Sequence, residues 1–121
     1  MLGYKVFGAG VPGLAVQAIC QDAAAGLTAT GTTQGTALQL VNAVNGVATV
    51  AANTGVVLFA TATAGDTQAI FNGGASTLSV YPQSGASING LATNQKMFLP
   101  VNTGVILHCL SSTQWFAVLS A

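Results

Sequence analysis

The chain contains no arginine and no glutamate, and its charged residues are Lys5, Lys96, Asp22 and Asp66 alone. Ordinary domains are about 25% charged, because charge hydrates a surface and keeps copies apart. At 3% charge, zero formal net charge and 51% hydrophobic residues, this chain is expected to have its working surface covered by other protein. The shortage of cations also argues against nucleic acid as a partner, since phosphate binding depends on Lys and Arg. Acid–base catalysis is equally short of material, with one His and two Asp. No group of His, Cys, Asp and Glu has metal-ligand spacing, and the glycine pairs follow no phosphate-loop pattern. The expectation is a protein that is not an enzyme, with no catalytic residue, cofactor or metal site.

Cysteine is scarce as well. Cys20 and Cys109 allow at most one disulfide and fit no metal or redox spacing, so they read as small buried apolar residues with reduced thiols. Uninterrupted hydrophobic runs are missing too. The stretch 41–60 has a spanning length, but Asn42, Asn45, Gly46, Asn53, Thr54 and Gly55 break it with turn chemistry, so it reads as strand, turn, strand and not as a membrane helix. Near the N-terminus, Lys5, the apolar stretch 6–19 and Ala23-Ala24-Ala25 loosely imitate a secretory signal. Gly8, Gly10, Pro12 and Gly13 interrupt its apolar region, and cytoplasmic synthesis is the expectation.

What the chain does have is small apolar and neutral polar residues in short runs. Residues 1–26 read as an irregular arm, in which 14–25 is either a short helix or an extended strand. The arm either reaches a neighbouring subunit or completes the same domain. Residues 27–121 read as one β domain, with apolar runs separated every eight to twelve residues by Gly, Asn or Ser. The predicted strands are 27–30, 36–41, 46–51, 55–60, 67–71, 76–82, 87–91, 95–100, 104–110 and 114–119. The expected fold is all-β, an antiparallel β-sandwich or jelly-roll-like barrel. Asn45-Gly46, Asn72-Gly73-Gly74, Ser84-Gly85 and Asn89-Gly90 supply residues that tolerate positive φ at tight turns. Pro82 and Pro100 are placed at strand ends, where a missing N–H is harmless.

Alternation assigns faces. Leu78 and Val80 point one way, and Thr77, Ser79 and Tyr81 the other. Val56-Val57-Leu58-Phe59 and Val105-Ile106-Leu107 are apolar at both parities, so both faces of each strand are expected against protein, within the domain or between subunits. His108 and Cys109 are adjacent on a strand and therefore point to opposite faces, which prevents a base–nucleophile pair. His108 shares its face with Ile106 and Leu110 and reads as a core or interfacial histidine. Asp66 reads as the cap of its own turn, and Asp22 as a helix cap or the partner of Lys5 or Lys96 in another copy. The threonine-rich stretches 28–33 and 61–63 have no fixed repeat, so they read as exposed strand positions and not as an ice-binding array.

From Gly26 onward, the chain resembles small virion proteins of tailed bacteriophages, over roughly four-fifths of its length. The resemblance is carried by the run 26–34 (Gly26-Leu27-Thr28-Ala29-Thr30-Gly31-Thr32-Thr33-Gln34), by Gly65-Asp66-Thr67, and by Asn72-Gly73-Gly74 leading to Leu78-Ser79-Val80-Tyr81-Pro82. It continues through Ser84-Gly85-Ala86-Ser87-Ile88-Asn89 and ends with Ser112-Thr113-Gln114-Trp115-Phe116. It implies a capsid decoration, or cement, protein on the outside of the virion, forming a homotrimer that bridges major capsid proteins, with no nucleic-acid or membrane partner. A host-recognition module of a tail fibre or spike is the alternative, with neutral polar faces that bind glycan. The short arm leaves little attachment segment for that alternative.

Overall fold

The computed structural model describes residues 22–120. The arm expected over 1–26, the signal-like stretch, Lys5 and Cys20 lie wholly or mostly outside the described residues. Ten strands follow one another without a helix between them. They are β1 (Ala23–Thr28), β2 (Leu38–Gln39), β3 (Val44–Thr49), β4 (Gly55–Val57), β5 (Thr67–Asn72), β6 (Leu78–Tyr81), β7 (Ser87–Ile88), β8 (Met97–Leu99), β9 (Gly104–Ser111) and β10 (Gln114–Leu119). Every predicted strand overlaps one of these.

The chain alternates between two sheets, one ordered β1-β3-β5-β9-β10-β7 and the other β2-β4-β6-β8. Each of the first three windings places one strand in each sheet. Successive windings stack in parallel, β1 on β3 on β5 and β2 on β4 on β6, in the manner of a β-solenoid. The direction then reverses: β8 runs antiparallel to β6, β9 to β5, and β10 to β9, while β7 pairs in parallel with β10. The antiparallel, jelly-roll-like pairing expected from the sequence is thus corrected for most strand pairs. The physical reason is that alternation and turn spacing are the same for a strand that folds back beside its predecessor and one that crosses to a second sheet.

Asn45-Gly46 shows the difference most directly, because it is no turn but the middle of β3. The Asn45 side chain is buried, and its Nδ2 donates to the carbonyls of Asn42 and Ala69 at 2.9 and 3.2 Å. Other predicted turns hold. Gly85, Asn89 and Gly90 have φ of 87°, 53° and 74°. Asn72 ends β5 and closes its turn through its side chain, with Oδ1 accepting from the Gly74 N–H at 3.0 Å. Pro82 and Pro100 directly follow β6 and β8. Between β3 and β4, the Thr54 N–H donates to the Ala51 carbonyl and Asn53 takes a φ of 65°, giving the strand, turn, strand read in 41–60. No helix among the described residues is long and apolar enough to cross a membrane.

The core lies between the sheets. Val47, Ile70, Val105, Leu107 and Trp115 come from one side, and Val56, Leu58, Leu78, Val80 and Leu99 from the other. Burying each large side chain contributes about 1.5–3 kcal/mol. Neutral amides serve the corners where the chain leaves one sheet for the other. Asn72 Nδ2 donates to the carbonyls of Ser76 and Leu99, each at 2.9 Å, which ties β5 to β8. Gln68 Oε1 accepts from the Phe59 N–H at 3.0 Å, while its Nε2 donates to the Asn42 carbonyl. The Trp115 indole N–H donates to Gln83 Oε1 at 2.8 Å. Amides do here what ions do elsewhere, without the desolvation cost of a charge.

Candidate interaction face on the six-stranded sheet

The two sheets present very different outer faces. On the four-stranded sheet, the outward positions are Gln39 on β2, Gly55 and Val57 on β4, Ser79 and Tyr81 on β6, and Phe98 on β8. Those of the central strands β4 and β6 are buried, while Gln39 and Phe98 on the edge strands are exposed. The segment 30–37 is anchored over this sheet: Thr30 bridges Gly55, the Tyr81 hydroxyl donates to the Thr32 carbonyl at 3.1 Å, and Gln34 Nε2 donates to the Pro82 carbonyl at 2.7 Å. Lys96 sits beside this cover, with its Nζ 5.9 Å from the Tyr81 ring centroid and 5.5 Å from that of Phe98. The double apolar parity of 56–59 is therefore satisfied within the chain.

The outer face of the six-stranded sheet has no such cover among the described residues. Strand register aligns its side chains in rows. One row is Ala23, Val44, Ala69, Ile106 and Val118; the next is Gly46, Phe71 and Gly104; a third is Thr67, His108 and Phe116. Ile106 is 49% exposed, Val118 54%, Val44 53% and Phe71 48%, where an ordinary core strand would show almost nothing. Leu110 and Phe116 extend the same exposed apolar surface. A trough of about 380 Å³ runs across it, lined by Val44, Ala69, Phe71, Ile106 and Val118, with Gly104 in its floor. A Cβ added at Gly104 would make ordinary contacts only, 3.6 Å from the Ile70 carbonyl oxygen and 3.8 Å from the Phe71 ring, so the trough floor has room for a methyl group.

No described charge lies on this face. Asp22 and Asp66 stand just before the first residues of β1 and β5 and line a separate cleft with Phe59 and Thr61. Asp66 caps its own turn as expected, its Oδ2 accepting from the Thr63 N–H at 2.9 Å. Asp22 caps no helix; it starts a strand, and its Oδ1 accepts from Asn42 Nδ2 at 2.8 Å.

His108 and Cys109 fall on opposite faces of β9. His108 is half-buried on the outer face and stacks on Phe116, with ring centroids 4.8 Å apart and planes at 21°. Cys109 is buried in the core, where its Sγ donates to the Ser111 carbonyl at 2.8 Å. Burial first, and the Asp66 carboxylate second, push this thiol above its ordinary range, which makes it a poor nucleophile at neutral pH. No group of three or more His, Cys, Asp or Glu converges among the described residues.

The sequence signalled part of this face in the parity of 105–107, but not Phe71 or Val44, which stand in strands that otherwise alternate with polar residues. Reading 115–119 as apolar at both parities would have added Phe116 and Val118. No protein-family model, curated protein or solved structure matches the chain.

Proposed function

We propose that the chain is a structural assembly protein, one that decorates and cements the capsid of a tailed bacteriophage as a trimer bridging major capsid proteins. It works by binding and has no catalytic role. The observation that carries this reading is the charge-free apolar outer face of the six-stranded sheet, in a chain with four charged residues. Such a face is stabilised by burial at about 25 cal/mol per Å² of apolar area removed from water, and nothing in it repels a neighbour. The resemblance of residues 26–121 to small phage virion proteins supports the capsid assignment. We read the described residues as a short β-solenoid of three windings closed by an antiparallel unit.

The tail-fibre or spike reading has one observation of its own, a cleft of about 470 Å³ lined by Gln34, Gln39, Gln83 and Ser84. Its amide nitrogens are already committed, to the carbonyls of Pro82, Leu58 and Ser112 respectively, so the cleft has few donors left for a sugar. It stays second for that reason.

The test is the copy number of the chain relative to the major capsid protein in purified particles, by quantitative mass spectrometry. Copies comparable in number to the capsid protein are expected. A handful per particle would move the chain to the tail or fibre, and its absence would overturn the virion reading.

A further inference from the structure

The geometry points to a second copy of this chain as the occupant of the open face: subunits associate through the outer surface of β3, β5, β9 and β10. This inference rests on the assembly reading above and names the partner at that surface.

Three features select a second copy over an unlike protein. First, the surface is neutral throughout. Its backbone groups are consumed in the sheet, and its side chains in the central rows are apolar apart from Thr67 and His108. A partner that recognised an unlike face would find little charge or directed hydrogen bonding to read, whereas two identical neutral surfaces match without like-charge repulsion. Second, the relief is self-complementary. Phe71 stands between Gly46 and Gly104 in one row and borders the trough of about 380 Å³, so each copy offers both a large half-exposed ring and a depression beside it. Third, the area suffices. At about 150–200 Å² for a fully exposed large side chain, Val44, Phe71, Ile106, Leu110, Phe116 and Val118 together expose roughly 500 Å². Two copies meeting through this face would remove about 1,000 Å² from water, the size at which a specific interface begins.

His108 then acquires a role that its position in the single chain does not explain. Its ring lies flat on Phe116 and widens the apolar surface, so the contact between copies buries an aromatic pair at its margin.

The experiment is sedimentation velocity on the full chain at micromolar concentration, comparing wild type with Ile106→Lys, Val118→Lys and the control Phe98→Lys. Phe98 is 61% exposed but belongs to the other sheet, so it reports any general effect of an added charge. Circular dichroism melts establish that each variant is folded. A wild type and control that sediment as one defined oligomer, with folded monomers for the two face variants, are the expected result. A monomeric wild type, or face variants of unchanged mass, would overturn the inference. Binding to particles prepared without the chain separates the two readings. A monomeric wild type that binds particles, and loses that binding on Ile106→Lys, assigns the face to the shell; it overturns the contact between copies while leaving the capsid role intact. Failure of every form to bind particles overturns the capsid role, and the sedimentation result still decides the contact between copies.

Discussion

Val57 and Ile106 are both outward-facing residues in strands whose sequences are apolar at each parity, yet one is 6% exposed and the other 49%. The difference lies in what the chain lays over them. Segment 30–37 returns across the four-stranded sheet and is held there by Tyr81, Gly55 and Pro82. Nothing described returns across the six-stranded sheet. The same sequence pattern thus marks an internal layer in one place and an exposed surface in the other, and only the path of the connecting segment separates them.

Placing a charge at each position breaks this contrast most sharply. Val57→Lys sets an ammonium under the cover with no partner and is expected to cost about 4 kcal/mol or more, a large share of the about 5–15 kcal/mol that holds a domain together. Ile106→Lys is expected to shift the stability of the isolated subunit by no more than about 0.5 kcal/mol. Urea unfolding of the two variants in dilute solution checks both, and equal losses would mean that the two faces are equally closed.

A smaller contrast comes from two glycines. A Cβ at Gly55 would stand 2.7 Å from the Ser79 carbonyl oxygen and 2.9 Å from Tyr81 Cε2, so Gly55→Ala must displace backbone and is expected to cost about 1–3 kcal/mol. Gly104→Ala meets only ordinary contacts and removes a strand glycine, so the single subunit should be unchanged or gain about 0.5–1 kcal/mol. Thermal melts followed by circular dichroism distinguish the two. Smaller again is Tyr81→Phe, which deletes the hydroxyl bonded to the Thr32 carbonyl and should lower stability by about 1 kcal/mol. Accelerated proteolysis between 30 and 37 in that variant would confirm that the bond holds the cover down.

The slightest effect is expected in alkali. The Cys109 thiol ionises less readily in the folded state than in the unfolded one. Its contribution to stability is therefore complete below the ordinary thiol value and is lost as pH rises from that value toward the higher folded one. Denaturant midpoints measured across that range should fall with pH for the wild type and less for Cys109→Ala. At neutral pH, a thiol reagent should label Cys109 only as the chain unfolds, whereas an imidazole reagent should reach His108 in the folded but dissociated subunit, such as that of Ile106→Lys. The two faces of β9 would thus be distinguished by chemistry alone.

Strand positions were legible because short apolar runs between Gly, Asn and Ser are a local signal, and the ends at Pro82 and Pro100 are fixed by a missing N–H. Partners were not legible. Asn45-Gly46 has the composition of a hairpin turn, but Asn45 satisfies its amide nitrogen inside the fold through the carbonyls of Asn42 and Ala69, a solution that depends on the neighbouring winding. The opposite placement of His108 and Cys109 was legible because adjacent strand residues diverge whatever sheet they join. The extent of the open face was only half visible, since Phe71 and Val44 gain their meaning from alignment with Gly104 and Ile106, residues far away in sequence.

The reversal at β8 and β9 also sets a length. A stack of parallel windings offers each new winding the same edge that it received, so nothing in its geometry says where to stop. Running antiparallel to β6 and β5, these two strands change the template, and the six-stranded sheet finishes at β7, which is two residues long. A chain rich in small β-forming residues and almost without charge is the kind that elongates into fibres if given a repeating edge. By ending the repeat after the three windings of its described residues, this one stops instead of growing.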